Sequence, residues 1–255
     1  MKLFRKAILI VHGFAGGVYD QERLNHELEL KWNYDVFTFT LPGHEGVLDR
    51  DIKYTEWITK AESEVEYLIN HGYQTIYVIG HSMGGVIASY LASKYHEIKK
   101  LVLVAPAFRY YAFEDGTFSI KNSLVKGKHI LDQYGFKMVA SRFFKLPTSY
   151  VVEFRKIAKE NEETCKNVHI PTLIIRGTSD EIVPEDAINL IYEQLDNPYK
   201  KIVHLENITH DVFRESLTYE AINLIESFLR NKSSIQKMPD LIKNVNNEEK
   251  DNEIE

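Results

Sequence analysis

The sequence predicts an α/β fold, with a mainly parallel central sheet covered by helices on both faces. Short apolar runs rich in β-branched and aromatic residues recur along the chain, and segments with helical periodicity lie between most of them. This alternation predicts right-handed βαβ crossovers. The length of 255 residues suits one large domain and does not require a second.

The elements follow in order. Met1 to Lys6 is basic and precedes the apolar run Ala7 to Val11, but the run stops at His12. It is too short for the hydrophobic region of a signal peptide or for a bilayer span, so a buried strand is expected. Val36 to Phe39 and Thr75 to Ile79 read as further strands, and between them Ile58, Ala61, Val65, Leu68 and Ile69 share a helix face. Val86 to Tyr95 is helix-like and leads to a strand at Leu101 to Val104. Ala107 to His169 (residues 107–169) then interrupts the alternation without a clean strand of its own. It carries many aromatics, among them Phe108, Tyr110, Tyr150 and Phe154. It is expected to be a mostly helical cap, or lid, over the strand ends. Thr172 to Ile175 and Ile202 to Leu205 are the remaining strand signals, separated by the helix face Ala187, Ile188, Ile191 and Leu195. Ala221, Ile222, Leu224, Ile225, Phe228 and Leu229 mark a last helix, so residues 1–230 read as the folded domain. From Asn231 the chain turns polar, and Glu248 to Glu255 holds five acids against one lysine. Residues 231–255 are therefore expected to be a disordered acidic tail.

Composition narrows the function. A formal net charge of -6 argues against a surface that tracks nucleic-acid phosphates. The single cysteine, Cys165, can form neither an internal disulfide nor a thiolate metal cluster, and a cytoplasmic location is expected. No integral membrane segment is expected, and the oligomeric state is not legible.

The strongest local signal is Gly80-His81-Ser82-Met83-Gly84-Gly85, directly after one strand and before a helix. A serine presented on so sharp a strand-to-helix turn needs glycine two positions before and two after it. The backbone N–H of Met83, in the first helical turn, is free of an intrahelical acceptor and can donate to an oxyanion. A second donor should come from an earlier strand end, and His12-Gly13-Phe14-Ala15-Gly16-Gly17 supplies that loop, with the Phe14 N–H as donor. The rings of Phe14 and Phe108 are expected to line an acyl site. The serine needs a base, and the base needs an acid to orient it. Asp180 follows the strand and glycine turn Ile174 to Gly177, and His210 follows the next strand. Glu181 and Asp186 are alternative acids and Asp211 is a neighbour of the histidine, but only Asp180 directly follows the glycine turn. His12, His44 and His81 occupy motif or turn positions and are expected to be structural.

Taken together, His12-Gly13-Phe14, Leu41-Pro42-Gly43-His44-Glu45-Gly46, Gly80 to Gly85, Gly177-Thr178-Ser179-Asp180 and Thr209-His210 resemble the α/β-hydrolase superfamily from Ile8 to Leu229. Within it, the chain looks like the compact bacterial carboxylesterases and monoacylglycerol lipases. Glu45 stands where that family more often has glycine. The resemblance implies the α/β-hydrolase fold, a Ser82–His210–Asp180 triad, Phe14 and Met83 as oxyanion donors, and residues 107–169 as the cap. It also implies hydrolysis of small esters with short to medium acyl chains through an acyl-enzyme, without a metal or organic cofactor. The same triad could serve a thioesterase, an aminopeptidase-like hydrolase or an acyltransferase, and a non-catalytic ligand-binding homologue is the reading of another class.

Overall fold

The computed structural model describes residues 5–31, 33–44, 51–110, 113–114, 117–118 and 148–244. Seven strands form one sheet: β1 (Lys6–Val11), β2 (Tyr34–Thr38), β3 (Ile76–His81), β4 (Ile98–Val104), β7 (Thr172–Gly177), β8 (Lys200–Leu205) and β9 (Leu241–Ile242). Their order is β2-β1-β3-β4-β7-β8-β9, and every adjacent pair is parallel. All six strand-like runs of the sequence are in it.

Because side chains alternate across a strand, the two faces of the sheet build two cores. Ala7, Leu9 and Val11 of β1 face one side, covered by α2 (Tyr54–Asn70), α3 (Met83–Lys94), α4 (Thr148–Glu160) and α5 (Glu185–Gln194). Ile8 and Ile10 face the other, covered by α1 (Glu22–Glu29) and α6 (Thr218–Arg230). Helix α2 buries Ala61, Val65 and Leu68 of the predicted stripe together with Trp57, while Ile58 and Ile69 are partly buried against the same core. Helix α3 is buried almost all round, as befits a helix wedged between the central strands and the elements that cover them.

Strand order brings the ends of β1, β3, β7 and β8 to one edge. In register, Val11 pairs with Gly80, His81 with Val104, Val104 with Ile175, and Gly177 with Leu205. The loops bearing Phe14, Ser82, Asp180 and His210 all leave from this edge.

Of the expected cap, the described parts are the two-residue strands β5 (Phe113–Glu114) and β6 (Thr117–Phe118), which pair antiparallel, helix α4, and a 3-10 turn at Thr164–Asn167. Residues 111–112, 115–116 and 119–147 lie outside the described residues. Helix α4 is docked on the core through Tyr150, Phe154, Ile157 and Ala158. The buried Glu153 carboxylate also accepts the Tyr54 N–H at the start of α2, 3.1 Å away. An acceptor there satisfies one of the otherwise unpaired N–H groups of the helix terminus.

One expectation is corrected. Residues 231–244, read as part of a disordered tail, are ordered: Lys232–Lys237 form a 3-10 helix and β9 pairs with His204 and Leu205 of β8. Ile235 and Met238 are buried in the second core, and two apolar anchors are enough to hold a polar segment. Residues 245–255 lie outside the described residues.

Candidate active site

Ser82 occupies the turn between β3 and α3 with φ 56° and ψ −123°, a conformation that non-glycine residues avoid. Such a backbone persists only where its surroundings over-determine it. Here the Ser82 N–H donates to Val104 O at 2.9 Å, and its carbonyl accepts from Gly85 N at 2.9 Å and Ala107 N at 3.1 Å. The flanking glycines have a direct cause. A Cβ on Gly80 would lie 2.3 Å from Gly84 O, and one on Gly84 would lie 2.2 Å from Val11 O. The serine is thus pressed against β1, and a Cβ on Gly13 would come within 2.9 Å of the Ser82 Cβ. The loop carrying Phe14 abuts the serine itself.

That loop is shaped by its own bonds. His12 Nδ1–H donates to Gly13 O at 2.8 Å, which leaves Nε2 to accept the Leu41 N–H at 3.0 Å and so ties the loop to the one after β2. Gly16 N donates to Gly13 O, and Gly17 N to Asp20 Oδ2. The Phe14 ring stacks on Phe154 at 5.1 Å, and Phe154 in turn on Tyr110 at 4.8 Å. Phe108 is buried in the same core, next to Ala107. Neither the Phe14 nor the Met83 N–H has an acceptor among the described residues.

His210 is buried and held on three sides. Its Nδ1 lies 3.0 Å from Asp180 Oδ2 and 3.1 Å from Oδ1; a carboxylate only accepts, so Nδ1 carries the hydrogen and Nε2 is the free ring nitrogen. Its backbone N–H donates to Glu181 Oε2 at 3.3 Å. Its carbonyl accepts from His81 Nε2 at 3.0 Å. The His81 and His210 rings are 5.0 Å apart, which sets His210 beside the residue preceding Ser82. No hydrogen bond joins Ser82 to His210 among the described residues.

The electrostatics single out one histidine. Burial drives His12 down to about 3 and lowers His44 and His81, which favours the neutral imidazole in all three. Burial also acts to lower His210, but the charge and hydrogen bond of Asp180, with Asp211 and Glu181 nearby, raise it to about 9. Burial acts against ionisation of Asp180 as well, yet His210 and the N–H groups of Ile182 and Val183, each 2.9 Å from Oδ1, hold its carboxyl below the usual range. Burial pushes the Glu181 carboxyl up.

Of the competing acids, Asp186 is exposed in the first turn of α5, and Glu181 faces the His210 backbone instead of its ring. The supporting roles of Glu181 and His81 were not foreseen. His81 sits in the motif, but nothing local tells that its ring reaches the His210 carbonyl. Among the described residues there is no group of three or more His, Cys, Asp or Glu placed to hold a metal ion, and no helix long and apolar enough to cross a membrane.

Comparison with known proteins fits this geometry. Residues 6–120 match the family model described as alpha/beta hydrolase fold, and residues 138–217 match one described as serine aminopeptidase, S33. The chain is 27% identical over 228 residues to a thermostable monoacylglycerol lipase of Bacillus sp. (strain H-257), covering 87% of this chain and 88% of that protein. It is 31% identical over 211 residues to a Mycoplasma pneumoniae protein with a provisional esterase/lipase name, covering 72% and 74%. A solved structure of metagenome-derived lipolytic enzymes superposes with a TM-score of 0.72 at 19% identity, covering 89% of this chain and 94% of that one.

Proposed function

The chain belongs to the α/β-hydrolase fold family, of the esterase and monoacylglycerol lipase type, and from that premise we propose that it is a serine esterase in which Ser82 is the nucleophile, His210 the base and Asp180 its orienting acid. The observation that carries the reading is the buried His210–Asp180 pair, its imidazole beside His81, the residue that precedes Ser82 at the strained turn. His210 Nε2 takes the proton of the Ser82 hydroxyl as Oγ adds to the ester carbonyl carbon. The carbonyl oxygen becomes an oxyanion that accepts from the Phe14 and Met83 N–H groups. Collapse of the adduct expels the alcohol, which takes its proton from His210, and leaves an acyl group on Ser82. Water, deprotonated by His210, then releases the acid by the same steps.

The alcohol and the acyl chain are small to medium in this reading, with Phe14 and Phe108 as apolar lining, and residues 107–169 act as the cap. Action in the cytoplasm belongs to the same reading and is supported by the single cysteine, Cys165, which has no second thiol to pair with.

The test is hydrolysis of p-nitrophenyl esters from acetate to palmitate by the wild type and Ser82→Ala, together with fluorophosphonate labelling. Ester turnover and labelling that both vanish in Ser82→Ala support the triad, and the optimum chain length sizes the acyl site. A wild type inert towards all esters and towards the fluorophosphonate refutes it. The match of residues 138–217 to the serine aminopeptidase model favours a second reading, amide hydrolysis on the same triad, which aminoacyl p-nitroanilides would reveal.

A further inference from the structure

Two loops meet at the active edge without covalent connection: the loop after β1, which carries Phe14, and the loop after β8, which carries His210. One ion pair joins them across 194 positions of sequence, Arg214 Nη2 to Asp20 Oδ1 at 2.6 Å. Asp20 is nearly buried, with a side-chain exposure of 9%, and Arg214 is exposed at 38%. The two oxygens of the Asp20 carboxylate face different partners. Oδ1 takes the guanidinium, and Oδ2 accepts the Gly17 N–H at 3.0 Å, in the same stretch as Phe14. The fit around it is close, because a Cβ on Gly16 would lie 2.6 Å from Oδ2. At the other end, Arg214 closes a 3-10 turn, Val212–Arg214, whose N–H bonds back to Asp211 O at 2.8 Å. In that turn the buried Phe213 ring lies edge-on to His81, the residue that holds the His210 carbonyl.

We propose that Arg214, acting through Asp20, is a positioning residue that locks the loop presenting the Phe14 N–H to the loop carrying His210, so that oxyanion donor and base are set relative to Ser82 as one unit. The proposal rests on the roles given above to Phe14 and His210. A half-exposed ion pair adds little to global stability. Its effect lies in geometry, since small misplacements of reacting groups are felt in turnover.

The experiment compares the full-length wild type with Arg214→Gln, Arg214→Lys, Asp20→Asn and the Arg214→Gln/Asp20→Asn double variant. The readouts are kcat and KM on p-nitrophenyl butyrate, affinity for an alkyl trifluoromethyl ketone, Tm, and the fraction of Ser82 finally labelled by fluorophosphonate. Ser82 Oγ adds to the ketone carbon, its proton passes to His210, and the ketone oxygen becomes the oxyanion, so this ligand reports on the aligned site. Arg214→Gln is expected to lower kcat and ketone affinity in parallel, roughly tenfold, with KM changed less than about twofold. Tm and the labelled fraction should stay at wild-type values. Arg214→Lys should recover most of the loss, and the double variant should be no worse than either single one, because both remove one pair. Unchanged kcat and ketone affinity in Arg214→Gln overturn the proposal, as do additive losses or an effect confined to KM. If the wild type binds neither fluorophosphonate nor ketone, the reading of Ser82 itself has failed and the positioning role falls with it. Normal wild-type behaviour with an unaffected Arg214→Gln removes the positioning role alone.

Discussion

Gly84→Ala tests the packing of the serine turn directly. The added methyl would lie 2.2 Å from Val11 O, 2.5 Å from His12 O and 2.7 Å from Val11 C, all backbone atoms at the end of a central strand. A comfortable carbon–oxygen contact is about 3.3 Å, so β1 and the start of α3 must part by about 1 Å. No side chain can rotate away to relieve this. Overpacking of a core site commonly costs about 1–3 kcal/mol, and a clash between two backbones belongs at the upper end, about 3 kcal/mol. For a domain of this size that corresponds to a fall in Tm of about 6–12 °C. The parting also moves the His12-Gly13-Phe14 loop away from Ser82, and a displacement of ~1 Å in a catalytic group can cost on the order of 100-fold in turnover. Gly72→Ala is the control. Unlike Gly84 it has a positive φ, 86°, and nothing lies within 4 Å of its added methyl. It should lose ~1–2 kcal/mol from backbone strain and leave kcat unchanged. Thermal unfolding by circular dichroism and initial rates on p-nitrophenyl butyrate measure both quantities. A Gly84→Ala protein with wild-type Tm and kcat would refute the close approach of β1 and α3 on which the site description depends.

Four more outcomes follow from the same structure. Because His210 must be neutral to act as base and Asp180 raises it towards about 9, activity should climb with pH well above 6.5, and Asp180→Asn should move that rise to lower pH while reducing kcat; a wild-type midpoint at or below 6.5 contradicts the coupling. The same raised value means that the His210–Asp180 attraction stabilises the fold fully below pH 6.5 for as long as Asp180 stays ionised, and is lost as pH passes through about 9, so urea midpoints of the wild type, compared with Asp180→Asn, should converge at alkaline pH. Glu153→Ala strips the acceptor from the Tyr54 N–H and the partner from Lys156, and should lower stability by about 1–3 kcal/mol in urea titrations while Glu153→Gln loses less. Truncation after Arg230 removes Ile235 and Met238 from the core along with β9, and should cost ~3–5 kcal/mol; an unchanged urea midpoint would mean that the segment only lies on the surface.

What could be read from the sequence depended on how local its signal was. The six long strands announce themselves because both faces of a parallel sheet are buried, which forces continuous apolar runs such as Ala7 to Val11. Ser82 is legible because the turn that presents it excludes any side chain at Gly80 and Gly84, so the chemistry leaves a mark in neighbouring residues. Asp180 and His210 were reached by their order along the chain and their place after strands. Strand β9 was missed because two residues between Asp240 and Lys243 have no periodicity; the pairing with β8 creates it. The support of His210 by Glu181, and the Arg214–Asp20 pair, depend on which way a carboxylate turns once distant loops have met. No spacing along the chain encodes that.

The place of β9 at the end of the sheet also bears on synthesis. Until residue 242 has left the ribosome, the outer rim of β8 has unpaired N–H and C=O groups that a second nascent chain could zip onto. The covering pair meets only His204 and Leu205, at one end of β8, whereas the other end begins with Lys200 and Lys201. Until Asp240 arrives to pair with Lys201, the two lysines place positive charge along the stretch that β9 does not pair, and like charges on two growing polypeptides disfavour zipping at this edge.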